Sequence, residues 1–267
     1  MVLRLGEMTW PEVAEVLKKP NAIILTVGAT EEGGYHMPLN FDNVMFTYIA
    51  EKAAEKVTDK HPKISVIVAP TIPYGEVSHV AGFPGYVGLQ DETLVKVVSD
   101  ILRCFVIGGF KNIIVFLGHF QNAAAVEVAC RKIDNEFRDK KDLGIFAVNP
   151  MKDMGFPSPA EARAGAIGVG HALEAATAMM LAIAPETVHL ERAVKGKAKI
   201  PLLKEYVGET GIRNDAILYK TRIKEHDETG IGGDPTLATR EEGEQILETL
   251  TDNFADIIAQ IVQSEGK

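Results

Sequence analysis

Through the first 150 residues, short apolar runs bounded by turn residues alternate with longer stretches in which apolar positions recur at helical spacing. The run Ala22-Ile23-Ile24-Leu25-Thr26-Val27, closed by Gly28, is continuous rather than alternating, which predicts a strand covered on both faces. Residues 64–69 and 112–117 repeat the pattern, and Ile145-Phe146-Ala147-Val148 predicts a fourth strand. Between them, residues 44–57 and 94–107 carry the period of amphipathic helices, and 123–137 predicts a third. Strands alternating with helices imply βαβ crossovers. The expected architecture is therefore α/β, a single domain over residues 1–267 with a mostly parallel sheet flanked by helices. Sheets of this kind carry their active sites in the loops at the carboxyl ends of the strands.

Beyond Pro150 the texture changes to a Met/Phe/Pro loop, an Ala-rich run over 171–183, and a polar, Gly-containing stretch over 195–235. No low-complexity linker or fixed-period repeat divides the chain, so this part reads as elaboration of the same domain. The chain then closes on an amphipathic helix: Thr239-Arg240-Glu241-Glu242 has capping-box form, and Ile246, Leu247, Leu250, Phe254, Ile257, Ile258 and Ile261 follow at helical spacing.

At 46% hydrophobic and 24% charged, the chain is too apolar for disorder. A net charge of −9 provides no phosphate-neutralising surface, which removes nucleic acid as an expected partner. No apolar run approaches the roughly 20 residues that cross a bilayer, and Arg4 and Glu7 interrupt any signal-peptide core, so no membrane partner is expected either. Cys104 and Cys130 both lie in helix-like stretches and make no disulfide framework; a cytoplasmic location is the expectation.

Chemistry concentrates at two strand ends. The loop after the first strand packs Glu31, Glu32, His36 and Asp42 into one short segment, which is costly unless something binds them. Carboxylate oxygens with imidazole nitrogen suit Zn, Mn or Fe, whereas Ca or Mg favour oxygen alone. The alternative is that Asp42 caps the helix from Asn43 while Glu31 and Glu32 lie in solvent. The third strand ends in Leu117-Gly118-His119-Phe120-Gln121-Asn122, so His119 is expected at the same sheet edge, where both loops can converge on one ion.

These residues carry a family resemblance. Residues 28–42 resemble the Gly-[Ser/Ala]-x-Glu-Gln-His-Gly-x-His-x-Pro-x-x-x-Asp signature of the creatininase family, and 117–122 resemble its Asn-Gly-His-[Gly/Tyr]-[Gly/Glu]-Asn motif. Phe83-Pro84-Gly85 before Leu89, and Gly230-Ile231-Gly232-Gly233-Asp234-Pro235 with Ala238 and Gly243, fit in the same order. The resemblance implies a three-layer α/β sandwich, assembly into homo-oligomers, and a divalent metal centre that hydrolyses amides, often cyclic ones, in a small-molecule substrate. It assigns Glu31, Asp42 and His119 as the ligands of a first metal. The second metal of the family's centre needs a His and a Glu where this chain has Gly33 and Gln121, so one divalent ion per chain (Zn, Mn or Fe) is expected. Gly33 has a second reading, a loop requiring positive φ, which Gly33-Gly34 allows.

Further positions follow from the resemblance. His171 and Glu174 match the family's His-Ala-Gly-x-x-Glu-Thr-Ser stretch; three residues apart, they share a helix face and are the candidate proton-transfer groups, although Gly170 and Ala176 replace carboxylates of the family pattern. His36, His79 and Gln121 are candidates for contacting substrate, His36 alternatively buttressing its loop and His171 alternatively serving only its helix. The expected function is a metal-dependent hydrolase cleaving an amide or lactam C–N bond with a metal-activated water. Two alternatives stand beside it: ring opening of a cyclic ketone such as a keto-inositol, and a non-catalytic binding or assembly protein whose site has decayed.

Overall fold

The computed structural model describes residues 2–155, 174–196, 224, 228–231 and 233–264. Its sheet contains β1 (Leu3–Arg4), β2 (Asn21–Val27), β3 (Ser65–Val68), β4 (Asn112–Leu117) and β5 (Gly144–Val148), in the order β1-β3-β2-β4-β5. Every neighbouring pair is parallel, with Ile24 opposite Val68 on one side and Ile114 on the other. The helices are α1 (Trp10–Val16), α2 (Phe41–Lys60), α3 (Asp91–Gly108), α4 (Ala123–Glu136), α5 (Pro150–Asp153), α6 (Glu174–Ile183) and α7 (Arg240–Ser264).

The strand pleat sends alternate side chains to opposite layers. Ala22, Ile24, Val66, Val68, Ile114 and Phe116 pack under α2, α6 and α7, where Phe116 stacks on Phe254 at 4.3 Å. Ile23, Leu25, Ile67, Ile113, Val115 and Leu117 pack under α1, α3 and α4. β2 and β4 are buried along their whole length. That double coverage is why their sequences are continuously apolar, and it produces the expected three layers.

β1, α1 and α5 were not expected, α5 being one turn of helix where the sequence beyond Pro150 reads as a loop. β1 is only two residues long, too short to show a period. α1 is announced by a capping box, since Glu12 accepts from both the Thr9 backbone N–H and the Thr9 hydroxyl at 2.6 Å. The helix-like stretch around His171 and Glu174, in the Ala-rich run, is a helix from Glu174, while 171–173 lie outside the described residues. α7 begins at the expected box, with the Glu242 N–H donating to Thr239 Oγ1. Among the described residues, no helix is long and apolar enough to cross a membrane.

The strand order locates the crevice. From β2 the chain crosses through α2 to β3 on one side; from β3 it passes over β2 through α3 to β4 on the other. The chain therefore reverses its direction across the sheet around β2, where α2 and α4 leave for opposite faces, and this is the place at the carboxyl edge where sheets of this kind form a binding cleft.

Candidate metal centre

Three adjacent strands feed that cleft. The β2 loop brings Glu31, the β3–α3 connection brings His79, and the β4 loop brings His119, while Asp42 sits in the first turn of α2. The β2 loop closes on itself through the Glu31 N–H to Leu39 carbonyl bond at 3.0 Å and the Phe41 N–H to Pro38 carbonyl bond at 3.2 Å. Gly34 makes the turn with φ 69° and donates to Glu32 Oε2. This fold-back returns Asp42 to the side of Glu31, so residues eleven apart in sequence face one another across His119.

The geometry is compact. His119 Nδ1 lies 3.1 Å from Asp42 Oδ2 and 3.4 Å from Glu31 Oε1. His79 Nε2 lies 3.5 Å from Glu31 Oε2, and its ring stacks on that of His119 at 5.4 Å between centroids. Ligand atoms of Glu31, His79 and His119 all fall within 4.8 Å of one another. Nitrogen and oxygen donors bound at about 2.0–2.2 Å stand about 3.0–3.5 Å apart around a four- to six-coordinate ion, so the 3.1, 3.4 and 3.5 Å separations fit a divalent transition ion. Glu31, Asp42 and His119 are all buried. Two carboxylates so close together in a poorly solvated place repel one another, and a cation between them removes that cost.

The alternative of solvated carboxylates does not describe this loop. Glu31 and Glu32 are buried, and Asp42 lies inside α2 rather than at its Asn40 cap. Gly33 does not carry the positive φ, which belongs to Gly34. It is required by packing instead: a Cβ at position 33 would lie 2.9 Å from Met37 Cβ and 3.0 Å from the Phe41 ring. A side chain at position 33 would have to displace this chain's own Met37 and Phe41.

The remaining candidates divide. His36 is fully buried, its Nε2 2.8 Å from Thr177 Oγ1 on α6 and its carbonyl accepting from the His189 N–H, so it ties the loop to α6. Burial holds its imidazole below the ordinary range, opposed by the Glu32 charge. Gln121 is exposed in the short 3-10 turn beside His119, and Glu174 is half-buried at the start of α6. His171 lies outside the described residues. His79, expected only to line the pocket, stands among the possible metal donors; the aperiodic chain between β3 and α3 offers no spacing that places it there.

A profile of the creatininase family, described as creatinine amidohydrolase, matches residues 6–258. The chain belongs to the creatininase family. Among curated relatives, it is 29% identical to creatinine amidohydrolase of Pseudomonas putida over 96% of this chain and 95% of that one. It is 27% identical to 3-dehydro-scyllo-inosose hydrolase of Thermotoga maritima, over 96% of this chain and 82% of the relative. It is 26% identical to the mycofactocin precursor peptide peptidase of Mycobacterium ulcerans, over 96% and 92%. A solved structure described as creatininase Mn superposes with TM-score 0.81 at 25% identity, over 97% of this chain and 98% of that one. This creatininase-family chain thus shares its fold over nearly its whole length with a structure whose description names a metal.

Proposed function

We propose that this chain is a metal-dependent hydrolase that cleaves an amide or lactam C–N bond in a small polar, cyclic substrate. Glu31, Asp42 and His119 would hold one divalent ion (Zn, Mn or Fe), with His79 completing the donor set. The observation that carries the reading is the approach of Asp42 Oδ2 and Glu31 Oε1 to His119 Nδ1, at 3.1 and 3.4 Å, at the carboxyl edge of the sheet. When bound, such an ion polarises a substrate carbonyl and brings the pKa of water toward neutrality.

The protein's own groups supply the rest. Glu31 faces both imidazoles, Oε1 toward His119 and Oε2 toward His79, and so sets the distance between the two rings. Exposed Gln121, two residues beyond His119, offers an amide to a polar substrate at the mouth. His171, three residues before Glu174 in the sequence, is assigned the proton that the leaving nitrogen must receive, with Glu174 as its partner.

A second reading has its own support. The Thermotoga relative is named as a hydrolase of a keto-inositol derivative, and the closed position at Gly33 departs from the creatininase signature. Opening a cyclic ketone is therefore the competing reaction, and a screen over lactams, ureides and keto-polyols separates the two by which class turns over.

The test of the site uses elemental analysis together with kinetics. The wild-type chain should hold close to one divalent ion. His119→Ala removes a nitrogen donor and should lose metal and activity together. His171→Ala should keep the metal and lose roughly 10²–10⁴-fold in kcat, the usual range for a positioned acid or base. Full activity in metal-free His119→Ala overturns the metallohydrolase reading, and undiminished kcat in His171→Ala returns that residue to a structural role.

A further inference from the structure

We infer that Asn122 is a positioning residue that fixes the distance between the three loops of the metal centre, and that metal affinity depends on it through His79. The inference rests on the metal-centre reading above. Asn122 follows His119 by three residues at the start of α4 and is fully buried. Its side chain is spent entirely on the two other loops. Nδ2 donates to the Val27 carbonyl at 3.0 Å and the Gly28 carbonyl at 2.9 Å, at the end of β2. Oδ1 accepts from the Glu76 N–H at 2.8 Å, three residues before His79. One amide thus ties the His119 loop to the strand end that leads to Glu31 and to the segment that leads to His79.

Only an amide does all of this. The two carbonyls of β2 require a donor and the Glu76 N–H requires an acceptor, so a carboxylate or an apolar side chain fails at one end or both. The strand ends that carry Glu31 and His119 have a second connection, the Gly118 N–H to Val27 carbonyl bond at 2.9 Å. The connection that carries His79 is also tied to the β2 end through Ile72 and Pro73, by the Gly28 N–H to Ile72 carbonyl bond at 2.9 Å and the Thr30 hydroxyl to Pro73 carbonyl bond at 2.8 Å, but it is Asn122 that holds it at Glu76. The segment packs so closely that a Cβ on Gly75 would lie 2.2 Å from Asn122 Oδ1 and 2.6 Å from the Gly28 carbonyl oxygen. Glu76 Oε1 in turn accepts from the Ser78 N–H at 2.8 Å, which carries the position fixed at Glu76 to the residue beside His79. Asn43, on α2, adds a parallel tie, donating to the Ala29 carbonyl at 2.6 Å and the Pro73 carbonyl at 3.3 Å. Asn43 connects neither the His119 loop nor the Glu76 segment, so it does not replace Asn122.

The experiment is a double-mutant cycle read by Zn²⁺ affinity, measured by competition with a chromophoric chelator on full-length protein. Asn122→Ala should weaken Zn²⁺ binding roughly 10–100-fold, the range for residues that orient ligands without touching the metal. Asn122→Asp keeps the acceptor but sets a carboxylate against two carbonyls, and should weaken it as well. In a His79→Ala background, the Asn122→Ala loss should shrink by more than about twofold, the margin within which uncoupled sites add. A purely structural role predicts the same fold-loss in both backgrounds. Gly75→Ala provides a second lever: its Cβ would meet the Asn122 amide and the Gly28 carbonyl oxygen, force the His79 segment and the amide apart, and should reproduce the loss. Wild-type chain that fails to bind Zn²⁺ sinks the metal-centre reading itself. Wild-type binding with additive losses overturns the positioning role alone, as does failure of both Asn122→Ala and Gly75→Ala to fold, since the amide would then serve the fold and not the centre.

Discussion

Beneath the β2 loop, His36 exchanges its hydration for a bond to Thr177 Oγ1, and the exchange has a pH signature. Burial lowers the pKa of its imidazole below the ordinary 6.5, with Glu32 acting in the opposite sense. The folded chain therefore binds fewer protons at this site than the unfolded chain as pH falls through that value. The contribution to stability is complete above about 6.5 and is lost progressively below it, until the folded group itself takes up a proton. In the presence of chelator, the melting temperature should fall between pH 7 and pH 5, and His36→Gln should flatten that part of the decline. Parallel curves for the two proteins would remove His36 as a source of acid sensitivity. At the same scale, the sequence exposes Glu31, Asp42 and His119 because each stands next to a strand or helix end that periodicity locates. It conceals His79 as a donor, because long-range contacts, those of Asn122 and Glu31 among them, and no local period fix where an aperiodic loop returns.

The elements are legible to the degree that they repeat. β2, β3 and β4 are continuous apolar runs because helices cover both faces, β5 is a half-buried edge strand, and α2, α3, α4 and α7 show one apolar stripe each. β1, with two residues, contains no period to read, whereas α1 is signalled only by its Thr9–Glu12 box. What spacing does not reveal is how closely elements approach. Gly243, in the first turns of α7, lies where α7 crosses α6: a Cβ there would fall 1.9 Å from the Ala178 carbonyl oxygen and 2.9 Å from the Met179 nitrogen. Helix propensity alone favours Ala over Gly by about 1 kcal/mol, but backbone atoms cannot give way as a flexible side chain can. Gly243→Ala is thus expected to destabilise the protein by about 1–3 kcal/mol through overpacking. Urea unfolding measures the difference, and a stabilised variant would mean that the two helices do not meet at this point.

At the scale of the molecule, the proposed metal centre would join parts that are otherwise connected through the sheet. The proposed donors stand on the loops after β2, β3 and β4, with Asp42 of α2 beside His119, so an ion bound there would crosslink the carboxyl edge of three adjacent strands and one helix of the α2, α6, α7 layer. The unfolded chain does not assemble this donor set, so binding free energy becomes folding free energy. With free metal at a hundred times its dissociation constant, the native state gains about 2.7 kcal/mol. For a chain of 267 residues, with an unfolding entropy of about 2.1 cal/mol/K per residue, that gain corresponds to a rise of about 5 °C in melting temperature. Adding Zn²⁺ or Mn²⁺ to chelator-treated protein should raise the transition by that order, and the rise should grow with the logarithm of free metal. In His119→Ala the shift should vanish while the metal-free transition stays near that of the wild type, since the imidazole lies at a loop end rather than in either hydrophobic layer. A rise that persists unchanged in His119→Ala would place the stabilising ion elsewhere in the molecule, and would separate the metal bound from the centre to which the activity is assigned.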